Sequence, residues 1–219
     1  MTLTPLFTQD FLPKLRQHLL PRILSKLQQL SEGSIPEDYG IDPNGENLNS
    51  VLFQHDRIYP HNIMRINYTT YDVRRSQDVI STSTSRHNVM VLAGSNADGN
   101  SAPHHPFRYA RVLGIYHLNV IYIGPGMINY QPHRLEFLWV RWYQTADTRR
   151  TGWEARLLDC IQFPSMTGGN AFGFIDPSNV VRSCHVIPAF ARGRCHPDGK
   201  GLSHCGRDSH DWVAYYVNR

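Results

Sequence analysis

Lysine is almost missing from this chain. Of 22 basic residues only Lys14, Lys26 and Lys200 are lysine, which leaves 19 arginines. Arginine suits bidentate contacts to carboxylate or phosphate and stacking on aromatic rings, although a GC-rich coding sequence produces the same bias without any functional cause. Long apolar runs are missing too. No stretch reaches the ~18 apolar residues of a membrane-crossing helix, and Met1–Leu30 is interrupted by polar and charged residues where a secretory signal needs a continuous apolar core. The four cysteines are therefore expected in a reducing compartment, as thiols rather than disulfides. There is no P-loop, no nucleophile elbow and no His-Glu-x-x-His, so no enzyme class is spelled out. A net charge of +4 is too small by itself to argue for nucleic acid, and 41% hydrophobic with 18% charged residues describes an ordinary globular chain.

What is present begins with a helical stripe. Leu12, Leu15, Leu19, Ile23, Leu27 and Leu30 recur at steps of three and four, predicting an amphipathic helix within residues 8–30. Pro13 is tolerable in its first turn, whereas Pro21 is expected to kink or split it. Lys14, Arg16, Arg22 and Lys26 share the rest of its surface. Such a helix either packs on its own domain, docks on a partner, as in self-association or binding to a larger assembly, or lies on a membrane surface. Residues 31–50 are acidic, polar and rich in turn formers, and read as a linker.

From Val51 the texture becomes short β-type runs with Gly/Pro connections. Residues 51–219 are accordingly expected to form a mainly β, barrel-like domain ending in a Cys/His-containing loop, α+β only by virtue of the N-terminal helix. Leu135–Tyr143 is the strongest strand. Alternation puts Leu135, Phe137, Trp139, Arg141 and Tyr143 on one side and Glu136, Leu138, Val140 and Trp142 on the other. Neither side is wholly polar, which predicts a central strand with Arg141 paired or at a rim.

Three sets of side chains could carry recognition. Phe107, Tyr109, Trp139, Trp142, Tyr143 and Trp153 lie on or beside neighbouring strands, and could form an aromatic cage for a methyl-ammonium or fill the core. Arg74, Arg75, Arg149 and Arg150 flank loops and could touch phosphates, with Tyr68 and Tyr71 near enough in sequence to stack on bases. Cys195, His204, Cys205 and His210 could hold a structural zinc, although their spacing is irregular and contains no Cys-x-x-Cys. No other cofactor is expected.

Two resemblances attach to these motifs. Tyr109-Ala110-Arg111-Val112-Leu113-Gly114-Ile115 followed by Leu138-Trp139-Val140-Arg141-Trp142-Tyr143 resembles the paired strands of the bromo-adjacent homology (BAH) domain, with Phe172–Val186 in the place of a later strand. The chain departs from that pattern after Tyr143, where Gln144-Thr145-Ala146-Asp147 stands. Asn67–Arg75, His105–His117, Phe172–Pro177, Ile187–Phe190, Asp211-Trp212 and Tyr216–Arg219 together resemble an uncharacterised, transposon-associated family of mushroom-forming fungi. The resemblances imply a nuclear, chromatin-linked binding module that recognises a protein tail, histone-like, or DNA. The alternatives are a DNA-processing factor with a zinc-stabilised loop and a scaffold for a transposase-like partner.

Overall fold

The computed structural model describes residues 11–30, 46–93, 105–124, 130–146 and 158–218. They form a mainly β protein with one N-terminal helix. The chain divides into two compact units, Met1–Pro60 with Tyr116–Phe137 and His61–Ile115 with Leu138–Arg219.

In the first unit, helix α1 (Phe11–Leu30) buries Phe11, Leu15, Leu19, Leu20, Ile23 and Leu27. Each such aliphatic side chain contributes about 1.5–3 kcal/mol by leaving water. The stripe is met in its middle, while its ends, Leu12 and Leu30, are exposed. Pro21 neither kinks nor splits the helix, contrary to expectation: α1 is continuous through it. Pro21 and Gln17 both face outward, so the carbonyl left without an amide partner four residues back can be hydrated.

Residues 46–50, inside the expected linker, instead form a 3-10 turn that runs straight into β1 (Val51–Phe53), and Ile123 N–H donates to Ser50 O at 2.9 Å. Residues 31–45 lie outside the described residues. Strand β1 and the short β2 (Tyr59–His61) pair with the far end of β6 (Phe107–Tyr122), where Val51 stands opposite Tyr122. Arg22 Nη1 donates to Glu136 O at 2.7 Å and Lys26 Nζ to Arg134 O at 3.2 Å. Two of the helix's cations are thus used inside this unit.

The second unit is built on a sheet in the order β10 (Phe172–Ile175), β7 (His133–Trp142), β6, β5 (Asn88–Leu92), β11 (Val180–Ser183). A second sheet runs β12 (His185–Pro188), β13 (Tyr215–Asn218), β9 (Asp159–Gln162), β8 (Gln144–Thr145). A separate hairpin joins β3 (Ile63–Thr69) to β4 (Arg75–Ser81). Among the described residues β10 and β11, the ends of the first order, are not paired with each other. These sheets are open rather than closed into the barrel expected from sequence.

Alternation along β6 and β7 gives the central sheet two apolar faces. One carries Val89, Val91, Ala110, Val112, Leu138, Val140 and Ile175, covered by Met64, Ile66 and Ile80 of the hairpin. The other carries Met90, Tyr109 and Tyr143, packed with Ile161, Tyr215 and Val217 of the second sheet. A strand buried on both faces is what the mixed pattern of Leu135–Tyr143 predicts, and β7 lies between β10 and β6.

Candidate functional site

The most ordered polar arrangement sits on the second face of the central sheet. Arg111 of β6 and Arg141 of β7 point the same way because both strands alternate in phase there. Their guanidiniums share one carboxylate. Arg111 Nη1 is 2.6 Å from Asp211 Oδ1 and Arg141 Nη1 is 2.5 Å from Asp211 Oδ2. All three side chains are buried or nearly so, Asp211 at 3% exposure. Tyr215 Oη–H donates to Asp211 Oδ1 at 3.2 Å and accepts Trp212 N–H at 2.9 Å. Phe163 lies under both cations, 3.9 Å from Arg141 and 4.5 Å from Arg111, and stacks on Tyr143 at 4.1 Å.

The electrostatics follow from this enclosure. Burial works against the Arg111 charge, yet Tyr143 and Asp211 hold its pKa above the usual arginine range. Burial, seconded by Asp211, pushes the Tyr215 hydroxyl up to about 12. Burial likewise raises Tyr143, whose Oη–H donates to Asn88 Oδ1 at 3.0 Å. Both carboxylate oxygens of Asp211 are engaged by arginine and both phenols stay protonated at neutral pH. The arrangement is a clamp between the two sheets, with no group poised to take or give a proton. A smaller clamp lies beside it, where Asp159 Oδ2 accepts Tyr109 Oη–H at 2.6 Å and faces His105 Nε2 at 2.9 Å.

The aromatic residues expected to form one cage are distributed over both faces. Tyr109 and Tyr143 are buried with Phe107 packed beside them. Trp139 is buried between Phe172, stacked at 5.6 Å, and Phe174 at 4.9 Å. Trp142 points to the opposite face, under Arg108 at 4.0 Å. Of these five, Trp142 alone lies on the opposite face, because odd and even positions of one strand cannot share a face. Trp153, Arg149 and Arg150 lie outside the described residues.

The expected metal ligands share the loop before β13. Cys195, His204 and His210 are exposed and Cys205 half-buried. Among the described residues no three His, Cys, Asp or Glu side chains are placed to hold a metal ion. The loop is organised instead by Asp208, 1% exposed, whose carboxylate accepts Leu202 N–H at 2.7 Å and Ser203 N–H at 3.0 Å and faces His196 Nε2 at 3.3 Å. Sequence reasoning did not single out Asp208, Phe163 or the buried role of Asp211. The signal available for them was weak: two aspartates within a Gly/His-rich loop.

Arg74 and Arg75 are exposed at the tip of the β3–β4 hairpin. The turn between the strands is tightly braced. Val73 N–H donates to Thr70 O at 2.9 Å, Thr70 N–H to Arg74 O at 2.8 Å, Thr70 Oγ1 to Arg74 O at 3.0 Å, and Arg74 Nε lies 2.9 Å from Asp72 Oδ2. Tyr71 and Val73 project fully into solvent, and Val73 adopts φ +61°, a left-handed conformation costly for a β-branched residue. Behind the tip, Asn67, Tyr68, Thr69, Arg75, Ser76 and Gln77 line an open groove of about 580 Å³.

Comparisons with protein-family models, curated proteins and solved structures find no match.

Proposed function

We propose that this protein is a non-enzymatic binding module that captures an extended protein tail by adding it as a strand to the free edge of β3. The observation that carries this reading is the state of that edge. β3 spans seven residues, longer than β8, β10, β11 or β12, and among the described residues it pairs with β4 alone. The other side of β4 is turned toward β11, where Ser183 N–H donates to Asp78 Oδ2 at 3.0 Å. A long unpaired strand offers a row of N–H and C=O groups that another extended chain can complete. Met64 and Ile66 anchor the hairpin to the core, so the edge is presented by a fixed element. The buried Asp211 carboxylate of the second unit is taken up by Arg111 and Arg141, although Nε of each arginine has no hydrogen-bond partner.

The bromo-adjacent likeness of the Tyr109–Ile115 and Leu138–Tyr143 strands is what ties the reading to chromatin and the nucleus. DNA is the second ligand class, favoured by exposed Tyr71 beside Arg74 and Arg75 at the hairpin tip.

The test is amide hydrogen exchange by NMR on the whole protein, with and without a panel of extended nine-residue Thr/Val-rich peptides. Successive residues of a strand direct their amides to opposite edges. Strand addition therefore protects every second amide of β3. Peptides that bind without protecting those amides, or a panel that does not bind, would sink the reading.

A further inference from the structure

We infer that the segment captured at β3 is acidic, with carboxylates at positions i and i+4 of its own strand. This rests on the strand-addition reading above and narrows its ligand.

The argument begins with which charges the hairpin has already satisfied. Its two acids are both consumed. Asp72 accepts from Thr70 Oγ1 and pairs with Arg74 at 2.9 Å. Asp78 accepts Ser183 N–H and faces Arg182 Nε at 3.5 Å, while the Arg182 guanidinium also lies 4.0 Å over the Tyr68 ring. The arginines are not all consumed. Among the described residues Arg65 and Arg75 make no hydrogen bond or ion pair, and both are exposed.

The register then puts these two cations on one face. Arg65 stands opposite Val79, Asn67 opposite Gln77 and Thr69 opposite Arg75. Residues directly opposite in an antiparallel pair share a side. That side therefore reads Ile63, Arg65, Asn67 and Thr69 along β3, and Arg75, Gln77, Val79 and, at its buried end, Ser81 along β4. Gln77 Nε2 donates to Asn67 Oδ1 at 2.7 Å, so the middle of that face is a satisfied amide pair. Its two unbalanced charges are both positive and no carboxylate lies on it.

Spacing gives the pattern in the ligand. Arg75 is level with Thr69, four residues along from Arg65, or roughly 13 Å at the rise of a strand. A strand laid beside β3 presents its i, i+2 and i+4 side chains on the same face. Carboxylates at i and i+4 are level with Arg65 and with the Thr69–Arg75 pair, and arginine is long enough to reach across one strand. A lysine-rich, histone-like tail would set like charges against both.

The probes are three fluorescein-labelled nine-residue Thr/Val peptides with Glu at i and i+4, Glu at i and i+3, or Gln at i and i+4, together with a dT oligonucleotide. Anisotropy titrations use the whole protein and its Arg65→Gln and Arg75→Gln variants, both changes being at exposed side chains. The i,i+4 glutamate peptide is expected to bind roughly three- to tenfold tighter than its glutamine counterpart at low salt, as two exposed charge pairs allow. That advantage should shrink in either variant and in 0.5 M salt, and the i,i+3 peptide should keep only part of it. Equal binding of the glutamate and glutamine peptides overturns the acidic preference while leaving strand addition standing. No binding by any peptide overturns both readings. Tighter binding of dT, lost in the same variants, assigns the surface to nucleic acid and overturns the proposal.

Discussion

Arg141, in the middle of the central sheet, meets Asp211 at 2.5 Å with both side chains buried. The same carboxylate holds Arg111 by its other oxygen. A buried ion pair adds little over well-packed apolar residues, but breaking it from one side strands the charge that remains. Asp211→Asn leaves two buried guanidiniums facing a neutral amide. Its expected cost is about 3–5 kcal/mol of unfolding free energy, read from urea denaturation. A loss under about 1 kcal/mol would show that the clamp does not hold the two sheets together.

Asp208 predicts a pH dependence. Burial raises its pKa, but the Ser203 and Leu202 amides and the His196 charge outweigh that, so the folded value lies below the ordinary carboxylate range. A depressed folded value means the contribution is complete above the unfolded pKa, near 3.9, and is lost as pH falls through the folded value. Stability followed from pH 6 to pH 2.5 should drop below about pH 4. Asp208→Asn should be less stable at pH 6 and show a shallower acid limb, and an unchanged limb would remove Asp208 from the account.

Thiol labelling separates the cysteines. Cys160 and Cys184 are buried, and burial pushes the Cys184 thiol up to about 12. At pH 8 its thiolate fraction is on the order of 10⁻⁴. Native protein is expected to label at exposed Cys195, slowed because burial and Asp211 push its thiol up, and at half-buried Cys205, with the other two reacting only after denaturation. Peptide mapping after a short pulse of iodoacetamide reports this. If added zinc protects Cys195 and Cys205 together, the loop is a metal site after all.

Gly173 predicts a packing effect. A Cβ there would meet Trp142 Nε1 at 2.5 Å, and that indole is pinned from another side by Arg108 at 4.0 Å. Gly173→Ala should cost about 1–3 kcal/mol by overpacking and shift the tryptophan emission. A variant as stable as the parent would mean that Trp142 has room to move.

The parts that were legible in the sequence are those whose pattern reports burial directly. The stripe of α1 and the two-sided burial of β7 follow from periodicity, which left Arg141 either paired or at a rim; the structure pairs it with Asp211. Strand β4 is not legible in the sequence, because Arg75-Ser76-Gln77-Asp78 has no apolar alternation; its conformation is set by pairing with β3 across the braced turn. The continuity of α1 through Pro21 was missed because local propensity ignores a buried stripe on both sides of the break. Trp142 stands apart from the other expected cage aromatics for a geometric reason. Nearness in sequence was read as convergence, although Trp139 and Trp142, an odd number of residues apart on one strand, belong to opposite faces. Asp211 carries no signal of burial in its own neighbourhood, since its arginine partners lie 70 and 100 residues away, and Asp208 is held mainly by backbone amides of Leu202 and Ser203, which no side-chain pattern marks.

That separation has a kinetic side. Arg111 and Arg141 precede their shared counter-ion by 100 and 70 residues. At a synthesis rate of about 5–20 residues per second, strands β6 and β7 are synthesised several seconds before Asp211. Until then, closing the central sheet means enclosing cations without an anion. Because non-local pairing carries the loop-closure cost before its reward, closure of the second unit is expected to wait for Asp211 and the strand that follows it.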